Sequence, residues 1–281
     1  MIAICPNPYR DLRCETAQRV AALLSEAGFE SLICPIYSGA DDGAVPAQLS
    51  TGVLEEAAES CSLAVVIGGD GTILEAVRKL HGARVPILGV NLGTKGFMTT
   101  LEQDELPLIV QAARGEYKLS RRMMLHVELR RGGETVFCDH ALNDAVVHGY
   151  GECVKITAWC EGDRMTGFTG DGVILSTPTG STGYSMSAGG PIVEPDAENI
   201  ILSPICAHVM GARSFVLDPS RVVTILTELQ HGRRAYLSVD GAPGVELLSG
   251  DELLVRRARH VTQMVDMGRK SFYELAFEKL T

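Results

Sequence analysis

Five apolar residues without polar alternation, LAVVI at 63–67, pass straight into GGDGT at 68–72, and helical spacing follows over about 73–81. A strand hidden on both faces reads as such an unbroken run, whereas a half-buried strand alternates. The pattern repeats nearby. MIAIC at 1–5 ends at Pro6, and PILGVNLG occupies 86–93. Between them, Asp11 is placed to cap a helix in which Leu12, Thr16, Val20, Leu23 and Ala27 line one face, and Gly28 ends it. SLICPIY at 31–37 reads as a further strand although it carries Pro35. Strand–helix alternation at this spacing predicts an α/β domain with a doubly wound, mostly parallel sheet.

Past residue 116 the period changes. Leu125, Val127 and Leu129 alternate with His126 and Glu128; Val154, Ile156 and Ala158 alternate with Lys155 and Thr157; Ala235, Leu237 and Val239 alternate with Tyr236 and Ser238. These are half-buried strands, separated by turns such as Arg131-Gly132-Gly133. The prediction is a β-rich domain over 116–264 after an α/β domain over 1–115. Helical spacing returns in SFYELAFEKL at 271–280, so a tail over 265–281 should pack back on the first domain.

A length of 281 residues accommodates two such domains. With 46% hydrophobic and 21% charged residues the chain is globular, and no apolar run approaches the ~20 residues of a membrane helix. A net charge of −10 argues against a nucleic-acid partner, which calls for a basic face. The N-terminus lacks a basic stretch followed by an apolar one, and the eight cysteines form no C-x-x-C. Both features predict free thiols in a reducing cytoplasm.

GGDGT sits where a buried strand gives way to a helix, the end of a doubly wound sheet at which ligands bind. Gly68, Gly69 and Gly71 allow backbone N–H groups to approach a phosphate, and the helix N-terminus adds favourable potential. Neither G-x-x-x-x-G-K-[ST] nor G-x-G-x-x-G occurs. Asp70 is repulsive to phosphate unless it holds a metal or takes a proton. The competing reading makes it a turn residue, with Thr72 capping the helix. NLGTKGF at 91–97 is a second strand-end loop, whose Lys95 either meets phosphate or is solvated.

Residues 171–193 read DGVILSTPTGSTGYSMSAGGPIV, dense in hydroxyls and glycine and suited to hydrogen-bonding a sugar-phosphate. Tyr184 either stacks on a base or packs in the core. The seven histidines form no H-x-x-x-H, no G-x-S-x-G elbow exists, and Cys153 and Cys160 are too far apart for a metal knuckle. Trp159 reads as packing, and the pairs Arg121-Arg122 and Arg256-Arg257 as solvated.

GGDGT, NLGTKGF, ALND at 141–144, the 171–192 segment, PICAH at 204–208 and the FYELAFEKL tail resemble the NAD kinase family in order and spacing, over nearly the whole chain. GGDGT alone is shared with diacylglycerol and sphingosine kinases; the Thr/Ser/Gly segment is far more specific. The resemblance implies phosphoryl transfer from ATP, or from inorganic polyphosphate, to the 2′-hydroxyl on the adenosine side of NAD, with Mg²⁺ bridging the phosphates. It further implies a cytoplasmic homodimer or homotetramer sharing NAD between subunits.

By matching position, the resemblance makes Asp70 the proton acceptor, with Gly71 beside it. Asn143 and Asp144 contact NAD, Asp171 lies near the nicotinamide end, and Thr182, Gly183, Tyr184, Ser185, Met186 and Ser187 wrap the adenine-ribose end. Gly68, Gly69, Gly71 and Thr72 form the phosphate cradle. Asp144 stands where the family usually has Glu, Gly183 and Ala207 where it has Ala and Pro, and Ala242 where it often has Gln. Two rival functions carry distinguishing marks. A GGDGT lipid kinase calls for a basic or amphipathic membrane face. A non-catalytic NAD sensor calls for a lost Asp70.

Overall fold

The computed structural model describes the chain except for residues 38–49, 81, 94–95, 210, 230–232 and 281. It divides into two compact units, Met1–Arg121 with Thr262–Thr281, and Arg122–Val261.

In the first unit, Ser31–Ile33, Ile2–Pro6, Leu63–Gly68 and Ile87–Asn91 lie side by side in that order, all parallel. The end of the strand Glu252–Asp266 adds a fifth position, with Met264 opposite Ile87. Alternate residues Ile2, Ile4, Leu63, Val65, Ile67, Leu88 and Val90 join Val20, Leu24 and Ile109 in one core, which places the helices Glu15–Glu26 and Leu108–Ala113 on that face. The helix Asp70–Leu80 covers the other face. A Cβ on Gly89 would come within 2.9 Å of Ile73 Cδ1. Both faces are therefore covered, which is why these strands read as unbroken apolar runs.

Three local expectations are corrected. Leu12 is 70% exposed, because Arg13 and Cys14 adopt left-handed backbone angles (φ 57° and 53°) and detach it from the helix. The helix buries Thr16, Ala17, Val20, Ala21 and Leu24 instead. Asp11 still caps it, accepting hydrogen bonds from the backbone N–H groups of Thr16 (2.8 Å) and Ala17 (3.0 Å). The strand expected over 31–37 stops at Ile33, two residues before Pro35. The helix expected from 73 starts at Asp70, so Gly71 and Thr72 belong to its first turn.

The second unit is antiparallel. One sheet runs Phe215–Leu217, Ile200–Ile205, Gly172–Ser176, Asp144–Gly149, Ala235–Val239, Val245–Leu247. In the other, Val223–Glu228 lies between Val154–Cys160 and Glu252–Asp266, and Asp163–Gly170 follows Val154–Cys160. The strands Lys118–Arg131 and Glu134–Ala141 form a hairpin closed by Gly132 and Gly133, both at positive φ. Alternating inward residues, among them Leu125, Val127, Ile156, Val173, Ile225, Leu237 and Val255, make one core. The tail forms the helix Phe272–Leu280. Among the described residues no helix is long and apolar enough to cross a membrane.

Candidate active site

In the first unit, GGDGT is a tight exit from Leu63–Gly68 into Asp70–Leu80. A Cβ on Gly68 would overlap the Thr72 side chain, so this glycine is required by the turn itself. The Thr72 hydroxyl accepts hydrogen bonds from Asn7 Nδ2 (3.0 Å) and from the Gly69 N–H (3.4 Å), tying the loop after the first strand to the helix start. Gly71 differs, because a Cβ there would meet nothing within 4 Å. Internal packing therefore does not demand a glycine at 71, and its bare backbone faces open space.

Asp70 does not hang free. Its Oδ2 accepts from the Phe97 N–H (2.8 Å) and its Oδ1 from the Met98 N–H (3.2 Å), so the carboxylate pins the far end of NLGTKGF. Gly96 has no room for a Cβ against the same carboxylate. Lys95 lies outside the described residues.

In the second unit, Asn143 and Asp144 are organised by Asp240, a residue the sequence reading did not single out. Its carboxylate accepts from the backbone N–H groups of Leu142 (2.7 Å), Asn143 (2.8 Å) and Asp144 (3.0 Å). Asp240 sits at φ 48° in the turn after Ala235–Val239. An Asp-Gly pair after an alternating strand was the available signal. Asp144 is buried, and burial with the neighbouring Asp240 carboxylate pushes its carboxyl up to about 7.

The Thr/Ser/Gly segment packs on this corner. Thr177 donates its N–H to Asn143 O (2.9 Å) and its hydroxyl to Leu142 O (2.6 Å), and accepts from the Gly180 N–H (3.1 Å). Gly180 lies so close to the Asn143 backbone that no Cβ fits. Thr182 donates to Thr179 O (3.2 Å). Ser185 is buried and hydrogen-bonds the Ser203 hydroxyl (3.0 Å), which gives it a packing role inside the unit. Gly183, Met186 and Ser187 lie along the short helix Tyr184–Ser187 and its entry, and Tyr184 is 47% exposed rather than in the core.

Asp171 lies at the other end of the same strand pair. Ser176 stands opposite Asp144, whereas Gly172 stands opposite His148. A cavity of about 510 Å³ at this end is lined by Asp171, Tyr184, His148, Cys153 and Ile205 among others. Cys153 Sγ lies 3.6 Å from Asp171 Oδ1 and 3.5 Å from His208 Nε2. Asn143, Asp144, Gly180 and Gly183 thus lie together at one end of this strand pair and Asp171 at the other, and the Tyr184 side chain reaches the cavity beside Asp171. All eight cysteines are free.

Residues 2–114 match the ATP-NAD kinase N-terminal domain and residues 143–267 the ATP-NAD kinase C-terminal domain. The chain belongs to the NAD kinase family. It is an enzyme, a phosphotransferase with NAD kinase function. An NAD kinase of Geobacter metallireducens is 44% identical over 229 residues, covering 80% of this chain and 81% of its own. One of Geobacter sulfurreducens is 38% identical over 277 residues, covering 96% and 94%. The crystal structure of a yeast NADH kinase complexed with NADH superposes with a TM-score of 0.82 at 27% identity, over 98% of this chain and 85% of that one. An NAD kinase from Archaeoglobus fulgidus in complex with ATP shares the fold, with a TM-score of 0.76 at 23% identity over 100% and 98%.

Proposed function

We propose that the first unit carries the phosphoryl donor, ATP with its Mg²⁺, on Gly68, Gly69, Gly71 and Thr72, and that the second carries NAD. The observation that carries this reading is the open backbone of Gly71 at the start of a helix, one residue from a carboxylate locked in place. The Gly71 backbone would meet phosphate on a turn that the Gly69 and Thr72 N–H groups shape by bonding within it, and the N-terminal end of an eleven-residue helix favours negative charge. Mg²⁺ would arrive on the ATP phosphates as part of the substrate.

Asp70 accepts the proton of the attacking 2′-hydroxyl. Its two backbone hydrogen bonds occupy part of a carboxylate's roughly four acceptor positions and fix the direction of those that remain. Most of the rate then comes from positioning and electrostatics. Asn143, Asp144 and the turn from Thr182 to Ser187 hold the adenosine end of NAD, and Asp171 meets its nicotinamide end. Asp144 and Asp171, at opposite ends of the paired strands Asp144–Gly149 and Gly172–Ser176, support that division. Self-association into a homodimer or homotetramer and a cytoplasmic setting complete the reading.

The intact Asp70 and GGDGT disfavour a binding-only sensor, and family membership disfavours a lipid kinase. The test is product identification by mass after mixing the protein with Mg-ATP and NAD. NADP and ADP are expected. Their absence at high enzyme, with polyphosphate tried as the alternative donor, refutes the reading.

A further inference from the structure

We infer that Arg10 is a donor-phosphate residue, whose guanidinium binds the polyphosphate chain where the loops after the first, third and fourth strands of the parallel sheet meet. This inference rests on the donor assignment above.

Ile2–Pro6 lies between Ser31–Ile33 and Leu63–Gly68, so the chain steps one way from the first strand to the second and the other way to the third. In doubly wound sheets the ligand crevice opens where that direction reverses, beyond the carboxyl ends of the two central strands. The loops leaving those ends are Asn7–Asp11 and GGDGT.

Arg10 sits in the first of these loops on a rigid mount. The Asn7 N–H donates to Ile67 O (2.9 Å), and the N–H groups of Arg10 (2.9 Å) and Asp11 (2.8 Å) both donate to Asn7 O. Asn7 Nδ2 reaches the Thr72 hydroxyl, and Asn7 Oδ1 accepts from the Tyr9 N–H (3.1 Å). The backbone of Arg10 is therefore fixed relative to the helix start at Asp70.

Its guanidinium lies across both glycine loops. Nη1 donates to Leu92 O (3.1 Å); a Cβ on Gly69 would lie 3.1 Å from Nη1, and one on Gly93 3.3 Å. Gly93, at φ 122°, holds a backbone that other residues rarely adopt. Two glycines thus clear the seat of this side chain. One N–H of five is spent on Leu92 O, and among the described residues the guanidinium has no other acceptor. A planar fork with unspent donors suits phosphate oxygens.

Charge points the same way. GGDGT brings a carboxylate and no cation to a polyanion. The basic residues of the helix it opens, Arg78 and Lys79, lie in its last turn and pair with Glu75 and Glu55.

The test compares Arg10→Met and Arg10→Lys with the parent. A charge-assisted hydrogen bond to phosphate corresponds to roughly 10- to 100-fold in affinity. Arg10→Met should raise KM for ATP by about that factor and leave KM for NAD within twofold. Calorimetry should show Mg-ATP and inorganic tripolyphosphate weakened alike and adenosine unaffected. Arg10→Lys should fall between, since it keeps charge and loses the fork. An Arg10→Met protein with parental ATP and tripolyphosphate affinity overturns the inference. So does a variant whose KM values for ATP and NAD rise together as its melting temperature falls, because Arg10 then only ties down the loop at Leu92. Should Arg10→Met fail to fold, Arg10→Lys with parental tripolyphosphate binding and parental KM for ATP is the overturning result. If the parent makes no NADP, the functional reading fails on its own, while the binding of Mg-ATP to parent and variants still decides the role of Arg10.

Discussion

Asp144 is buried beside Asp240, and the two carboxylates face different demands. Asp240 accepts three backbone N–H groups. Burial and the Asp240 charge push Asp144 up to about 7. Its folded value thus lies above its unfolded value near 3.8, so the native state holds a proton that the unfolded chain releases between those two values. This contribution to stability is present in full below pH 4 and is lost as pH rises through about 7. Asp144→Asn should remove that dependence and raise stability at pH 8 by about 1–3 kcal/mol. Thermal melts of parent and variant across pH 5–8 check this; parallel curves would refute the buried-pair account.

Asp70→Asn keeps the size of the side chain and one acceptor for the Phe97 or Met98 N–H, but cannot take a proton. A fall in kcat of about 10²–10⁴ is expected, with NAD affinity nearly unchanged. Were Asp70 only a pin for the 97–98 backbone, the variant would lose at most ~1–2 kcal/mol of stability and keep its turnover. Steady-state kinetics and melting curves separate the two.

Gly180 and Gly183 should answer alanine in opposite ways. A methyl at 180 meets the Asn143 carbonyl carbon at 2.6 Å, so Gly180→Ala should cost about 1–3 kcal/mol and move the NAD corner. At 183 the nearest atoms are farther off, Gly180 O at 3.3 Å and Asn143 Nδ2 at 3.7 Å, and φ is negative. Gly183→Ala, which restores the residue usual in the family, should change stability by less than about 1 kcal/mol. Urea unfolding of both variants is decisive.

Asn143→Ala removes a side chain and leaves intact the backbone groups that Asp240 and Thr177 hold. NAD binding should weaken about tenfold or more, with the melting temperature preserved. Unchanged affinity by calorimetry would remove Asn143 from the site.

Self-association is checked by light scattering. A mass of two or four chains is expected at micromolar concentration. A fully active species of one chain's mass, 30.1 kDa, would rule it out.

The parallel sheet was readable because strands covered on both faces need no polar residue, as in LAVVI. The antiparallel unit was readable because half-buried strands alternate, as at 154–158. Leu12 was misplaced because two left-handed residues, Arg13 and Cys14, interrupt a spacing that looks continuous in sequence. Asp240 and Arg10 escaped notice for a shared reason. Each acts from an irregular turn on backbone far along the chain, 96–98 residues away for Asp240 and 82 for Arg10, and no periodicity marks such a partner. The meeting of Asp171, Cys153 and His208 likewise depends on pairing between strands.

Because Thr262–Thr281 belongs with Met1–Arg121, the second unit is an insertion within the first. On a ribosome that arrangement reverses the order of completion. The segment Met1–Arg121 waits, its sheet lacking the strand that sets Met264 beside Ile87, until the residues from Thr262 onward have been made. By then all of Arg122–Val261 has already been made. A chain cut back to residues 1–261 would thus keep all of the β-rich unit and leave the α/β sheet open-edged at Ile87–Asn91. That open edge is where edge-to-edge aggregation would start.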